Sequence, residues 1–279
     1  MRPTAALAAP TAALILATCA CTNTSSTPAR GSATGETTAA RSTTAAASDL
    51  CFDKGKGFAG EARLYIEHNA TDRDTGFHGT FDQEGLAQGC IATPDGTPLM
   101  FIDTTNQLGT LGINQIFFES REPPNAVYSI ADLKADFPEG EYRISGIDYQ
   151  GTRRVGTAKF THAIPAAPTI VEPKLVPEEK GPSNVVPSGG LTVRWEPVTR
   201  TVDGEQVSIS GYEVIITKVE HADPHGLSRP VYDVHVPPNL TSLSVPDEFL
   251  EPKTLYELEV LALEDSGNQT ITVGFFSTG

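Results

Sequence analysis

The densest run of residues able to bind or react is Glu67-His68-Asn69-Ala-Thr71-Asp72-Arg-Asp74-Thr-Gly76-Phe-His78-Gly-Thr-Phe-Asp82-Gln-Glu84. Within it, Asp72-Arg-Asp74-Thr-Gly76 is a partial calcium loop, because alternate acidic residues on a turn direct oxygens at one hard cation. With Asp82 the candidate ligand set is Asp72, Asp74 and Asp82. The loop is shorter than an EF-hand loop and lacks a bidentate Glu at the proper distance. A solvated hairpin turn whose Asx side chains cap the backbone accounts for the same residues. His68 and His78 fall on strands flanking that turn, and with Glu67 or Asp82 would make a zinc or copper site. No short His-x-Glu-x-x-His spacing supports one, and polar pairing across a hairpin explains these residues equally.

A second cluster, His221-Ala-Asp223-Pro-His225-Gly226, is turn chemistry in a loop. A loop is a poor place to preorganise a metal, so its expected role is partner contact. Catalytic signatures are missing from the sequence: there is no Gly-x-Ser-x-Gly elbow, no His-Glu-x-x-His helix and no phosphate-cradling glycine loop after a strand. The expectation is a protein that is not an enzyme and takes no cofactor, with calcium the leading option among the metals its residues raise.

Thirty-five acidic residues face 20 basic ones, for a formal charge of −15, and no basic patch exists to collect phosphates. Nucleic acid and anionic lipid headgroups are thereby disfavoured as partners, and the acidity is mostly solubilising.

The front of the chain fixes where that charge is expected to reside. Met1-Arg-Pro-Thr followed by the apolar run Ala5 to Ala20 reads as an export signal, too short to span a bilayer as a folded helix. Leu16-Ala-Thr-Cys19 and Thr18-Cys-Ala-Cys21 look like a bacterial lipobox, so one of Cys19 and Cys21 is expected to carry a lipid, with simple secretion as the alternative. Residues 22–50 are almost wholly Ser, Thr, Ala and Gly and bury too little surface to offset ordering entropy. They are read as a disordered tether spanning roughly 30 Å. In the exported part only Cys51 and Cys90 remain, which points to one disulfide closing a loop of about 40 residues; two buried thiols or a metal pair is the other reading. Asn69-Ala-Thr71, Asn239-Leu-Thr241 and Asn268-Gln-Thr270 match glycosylation acceptors, which weigh little behind a bacterial lipobox.

The elements that must position these residues are short strands. Leu191, Val193 and Trp195 share one strand face, as do Tyr212, Val214 and Ile216. Residues 230–236 and 242–245 read as further strands, and 254–263, a turn at Asp265-Ser-Gly-Asn268 and 270–276 as a hairpin. Phe137-Pro-Glu-Gly-Glu-Tyr142-Arg-Ile144 and 155–161 echo that ending earlier in the chain, behind strands at 62–67, 76–82, 99–103 and 115–119. One helix interrupts them: Ser129 caps, Asp132 takes the capping-box position, and Ile130, Leu133 and Phe137 form its apolar face.

Leu191-Thr-Val-Arg-Trp195, Gly211-Tyr-Glu-Val-Ile-Ile216 and Leu250-Glu-Pro-Lys-Thr-Leu-Tyr256-Glu-Leu-Glu-Val260 together resemble a fibronectin type III domain. The resemblance implies that Trp195 is the core tryptophan and Tyr256 the tyrosine corner, with Tyr142 their counterpart in the first half. His68 to Gly76, Phe117 to Asn125 and Pro138 to Tyr142 resemble the N-terminal part of exported bacterial proteins that carry such a domain behind it; this bears on architecture and not on chemistry.

The fold class is therefore all-β: two tandem immunoglobulin-like/fibronectin type III β-sandwiches after a signal peptide and disordered tether. The divisions are 1–21 signal, 22–50 tether, 51–163 immunoglobulin-like sandwich with one short helix, and 164–279 fibronectin type III domain with a Pro-rich connector that makes the pair semi-rigid. Such domains are mostly binding platforms. The expected protein is extracytoplasmic, attached to a bacterial membrane through a lipid alone, and binds an envelope protein or polysaccharide. A plain spacer and a calcium-dependent carbohydrate-binding module are the other readings.

Overall fold

The structure, a computed structural model, describes residues 47–58, 60–177, 184–220 and 231–279. The export signal, Cys19 and Cys21, the tether up to residue 46 and the cluster His221, Asp223 and His225 lie outside the described residues. The tether expectation ran to Leu50. Ala47–Leu50 instead form one 3-10 turn, and Leu50 is buried against Cys90 and Ala92. Cys51 and Cys90 are joined by a disulfide, the first of the two readings.

The first half comprises β1 (Lys56–Gly57), β2 (Ala62–Asn69), β3 (Asp74–Ala92), β4 (Pro98–Asp103), α1 (Asn106–Leu111), β5 (Ile113–Glu119), α2 (Ile130–Asp136), β6 (Gly140–Asp148) and β7 (Arg153–Phe160). Its organiser is β3, which is far longer than the expected 76–82. The leading part of β3 lies between β2 and β5, and its trailing part between β4 and β6. The pairing shifts register between Asp82 and Leu86, where Gly85 has φ +67° and a Cβ would collide with the Tyr149 ring. A glycine bulge there bends the strand so that one chain segment serves both layers.

Between the layers sit Leu64, Ile66, Phe77, Phe81, Leu86 and Ile91 with Tyr142, Ile144 and Phe160. Phe77 stacks on Phe137 at 4.4 Å, and the Tyr142 hydroxyl donates to the Pro138 carbonyl at 2.9 Å. Helix α2 carries the full capping box, with the Ser129 side chain accepting from the Asp132 N–H and the Asp132 carboxylate accepting from the Ser129 N–H. It presents Leu133 to this core. Helix α1 buries no side chain and was not expected from an apolar stripe, since Asn-Gln-Leu-Gly-Thr-Leu has none.

The second half comprises β8 (Ile170–Glu172), β9 (Asn184–Val186), β10 (Thr192–Trp195), β11 (Ile209–Lys218), β12 (Val231–Val236), β13 (Ser242–Ser244), β14 (Leu255–Glu264) and β15 (Gln269–Thr278). One layer is β13-β10-β8 and the other runs β15-β14-β11-β12. Period-two alternation in every long strand sends Val193, Trp195, Tyr212, Val214, Ile216, Leu258, Val260 and Phe276 inward. Trp195 packs on Tyr212 at 5.4 Å. The Tyr256 hydroxyl accepts from the Glu251 N–H at 2.8 Å and donates to the Phe249 carbonyl at 3.3 Å, which is a tyrosine corner. The chain is thus an all-β sandwich protein, and this half is fibronectin type III-like in its layers, its core tryptophan and its corner.

The halves meet through more than the proline connector. Strand β15 pairs in parallel with β2, Gln269 to Ile271 against Glu67 to Asn69, so one layer of each half belongs to a single hydrogen-bonded sheet. Asn268, at the expected hairpin tip, is 1 % exposed. Its Oδ1 accepts from the Ile66 N–H at 2.8 Å, and its Nδ2 donates to the Thr161 carbonyl and hydroxyl, each at 3.0 Å. A glycan on that side chain is excluded by its burial. Thr270 and Thr272 donate to the Pro165 and Pro168 carbonyls, and Lys134 pairs with Asp203 at 2.5 Å.

Candidate ligand-binding face

The shared sheet has one face turned away from both cores. In register across it stand Phe117 and Glu119 on β5, His78 and Thr80 on β3, Tyr65 and Glu67 on β2, Gln269 on β15, Glu257 and Glu259 on β14, Glu213 on β11, and Asp233 and His235 on β12. Alternation along each strand puts these residues on one side of the sheet. The result is a belt of carboxylates running from one half into the other.

At its first-half end lies His78, only 2 % exposed in its side chain. The chain after β5 turns back along the start of β3: the Phe77 N–H donates to the Ser120 hydroxyl, the Asn125 N–H to the Arg73 carbonyl, and the Thr75 hydroxyl to Asn125 Oδ1. That return carries Glu122 over Gly76 onto His78, with Glu122 Oε1 3.0 Å from His78 Nε2. Gly76 is required there, because a Cβ would collide with the Glu122 carboxylate and stand 2.9 Å from His78 Nε2. On the other side, Glu67 Oε2 is 4.0 Å from His78 Nδ1 and accepts from the Gln269 amide. The rings of Tyr65 and Phe117 flank the imidazole at 5.3 Å and 6.2 Å, and Phe117 is 57 % exposed.

Burial and mutual repulsion set the protonation of the belt. Burial draws the His78 pKa down, but the Glu122 hydrogen bond and the charges of Glu67, Glu122 and Glu119 carry it above the ordinary histidine value. Burial raises Glu67 against the pull of His78 and Gln269. Burial, then the charges of Glu122 and Asp72, push Asp74 up to about 6. Glu259 is pushed to about 8 by burial, by the charges of Glu257 and Glu67 and by a hydrogen bond with Glu257. Glu213 rises to about 7, chiefly by burial and by Asp233, against His235 at 3.2 Å. Burial followed by Glu67, Glu119 and Glu213 raises the Tyr65 phenol.

A carboxyl whose pKa is higher folded than unfolded binds a proton in the folded state over the interval between the two values. The stability linked to Glu259 is therefore complete below pH 4.5 and lost as pH rises through about 8. Glu259→Gln keeps the shape, donates to Glu257 and does not titrate. Its midpoint should exceed the parent's at pH 9 by roughly 2–4 °C for each kcal/mol relieved and match it near pH 5. Thermal melts of both proteins across that range check this, and an equal offset at both pH values would contradict it.

The expected calcium set is not assembled. Asp82 lies at the far end of the paired stretch, about 26 Å from Asp74 at about 3.3 Å per residue. Asp72 is exposed and accepts from the Asn69 amide at 3.0 Å, while Asn69 Oδ1 accepts from the Thr71 and Asp72 N–H groups. The turn is thus held by Asx capping and not by three converging carboxylates. His68 and His78 are also separated: facing residues of β2 and β3 are an odd number apart, as in Tyr65 with His78, so two residues an even number apart fall on opposite sides of the sheet. His68 pairs with Thr75 and points coreward, its Nδ1 3.0 Å from the Thr75 hydroxyl, and burial lowers its pKa. Of the suggested partners only Glu67 reaches His78. Glu122, 44 residues from His78 in sequence, carried no local signal; only the fold-back after β5 brings it there. Two surface depressions, of about 500 and 400 Å³, lie along the connector. Lys174 is the one ionisable residue lining the first.

No protein family and no curated protein matches this chain. Among solved structures it is similar to the FN1–FN3 domains of chicken CNTN1, at 14 % identity and TM-score 0.31 over 81 % of this chain and 69 % of that one. It is also similar to a two fibronectin type-III domain segment from chicken tenascin, at 11 % identity and TM-score 0.28 over 81 % of this chain and 100 % of that one.

Proposed function

We propose that this protein is a non-enzymatic binding module outside the cytoplasmic membrane, tethered by a lipid on Cys19 or Cys21, whose carboxylate belt captures a basic segment of an envelope protein. The observation that supports this reading is the crowding of Glu67, Glu213, Glu257 and Glu259 on one sheet face, close enough that the charges of Glu257, Glu67 and Glu213 add to burial in raising the pKa of Glu259. Lys or Arg side chains laid across the belt relieve that repulsion, and Tyr65 and Phe117 offer ring faces to the same cations. Charge complementarity favours such a protein over an anionic polysaccharide, which the belt repels. The Ca²⁺-dependent carbohydrate reading loses its support with the separation of Asp82 from Asp74.

The test is calorimetric titration of the full-length chain with an oligolysine peptide and, in parallel, with heparin. At pH 9, where Glu213 and Glu259 are ionised, binding of the peptide alone is expected, weakening as salt rises and by about tenfold in Glu213→Gln/Glu259→Gln. Peptide binding that is indifferent to salt and to that double variant, or preferential binding of heparin, would overturn the reading.

A further inference from the structure

We propose that His78 Nδ1 and Glu67 hold a divalent first-row transition ion, with Glu122 fixing the imidazole from its far side. This is independent of any ligand on the belt.

Among the described residues, three buried side-chain polar atoms have no hydrogen-bond partner: Asp74 Oδ1, His78 Nδ1 and Trp195 Nε1. Two of them belong to this corner of the first half. Buried polar atoms are nearly always satisfied, so an orphan nitrogen on a side chain 2 % exposed marks a missing partner. Its surroundings identify the partner as a cation. Nε2 faces the Glu122 carboxylate at hydrogen-bond distance, which places a proton on that nitrogen; in the neutral imidazole Nδ1 then carries a lone pair, and an ion binding there displaces the Nδ1 proton of the charged form. That lone pair looks at Glu67 Oε2 across 4.0 Å. Two acceptors at this separation repel, and the gap is too long for a direct hydrogen bond.

It is well suited to an ion. Bonds of about 2.0–2.2 Å from a first-row ion to nitrogen and to oxygen span up to about 4 Å, and a small rotation of the Glu67 carboxylate brings the pair to the shorter separation of a tetrahedral site. One atom each from Glu67, His78 and Glu122 lies within 4.8 Å of the others. The imidazole selects a transition ion over calcium or magnesium, which prefer oxygen alone. A carboxylate on the distal N–H of a ligating histidine orients the ring and raises its basicity, and Glu122 holds that place. The Gln269 amide steadies Glu67 from β15, so the ion would also tie a residue positioned by the second half to β3.

The second acidic group with a histidine, Glu213, Asp233 and His235, has no orphan atom, and His235 is mostly exposed. It serves as the internal control.

The experiment titrates the metal-free, full-length chain with Zn²⁺, and with Co²⁺ for its visible absorption, following heat and melting temperature. One ion per chain is expected at micromolar metal, with a raised melting temperature, and none with millimolar Ca²⁺. His78→Ala and Glu67→Gln should each remove the binding, Glu122→Gln should weaken it about 10–100-fold, and His235→Ala and His225→Ala should leave it intact. Glu67→Gln preserves side-chain volume, and melts without metal establish that each variant is folded. Absence of zinc binding by the parent, or binding that survives in folded His78→Ala and Glu67→Gln while His235→Ala or His225→Ala abolishes it, would overturn the assignment.

Discussion

Opening the Cys51–Cys90 disulfide lowers stability by about 4 kcal/mol. The two cysteines are 39 residues apart in sequence, and in the chain-entropy account a loop of that length restricts the unfolded ensemble by about this amount. The folded side adds to the effect. Leu50 and Cys90 are buried together, Ser145 donates to the Leu50 carbonyl at 2.6 Å, and the Arg153 guanidinium lies 3.7 Å above the Phe52 ring. These contacts pin a leading segment that no strand ladder holds before β1. Cys51→Ala/Cys90→Ala should melt roughly 8–16 °C below the parent, at about 2–4 °C per kcal/mol for a chain of this size. A fall of under 2 °C, or two titratable thiols in oxidised protein, would show that the bridge contributes nothing.

Replacing Asn268 by alanine costs about 2–6 kcal/mol and divides one unfolding transition into two. The side chain satisfies the Ile66 N–H and the Thr161 carbonyl, and each buried group left without a partner costs about 1–3 kcal/mol. Both partners belong to the first half, whereas Asn268 stands in the turn just before β15 of the second, so the loss falls on the seam between the cores. Trp195 reports the second core by fluorescence, and circular dichroism reports both. In the parent the two probes should change together, and in Asn268→Ala they should separate. Exposed Asn239→Ala should stay within about 0.5 kcal/mol of the parent. Coincident transitions and a loss below 1 kcal/mol in Asn268→Ala would refute the role given to this residue.

What the sequence disclosed was what neighbouring residues decide. The capping box at Ser129 and Asp132, the alternation through Tyr212 to Ile216, and Tyr256 behind Leu250-Glu-Pro252 are all local, and each lies where its pattern placed it. Register and long-range return were not legible. Alternation puts Asp74 and Asp82 on one side of β3 but says nothing of the seven residues of extended chain between them. The odd spacing from Glu67 to His68 sends the second of these to the core. The bend at Gly85, the arrival of Glu122 at His78 and the ladder between β2 and β15 depend on partners tens to hundreds of residues distant, which no short window contains. Hence the acidic belt, assembled from strands of both halves, has no counterpart as a motif.

The position of Cys90 on β3 has a mechanical consequence. Tension on the leading end of the folded chain reaches Cys51 and passes at once through a covalent bond into β3, bypassing the loop between them. That strand is clamped on both sides by β2 and β5 and then by β4 and β6, so the load is shared in shear across several ladders instead of peeling a terminal strand. His78 lies on the same strand, twelve residues from the point of attachment, and so stands on the element that takes up the load.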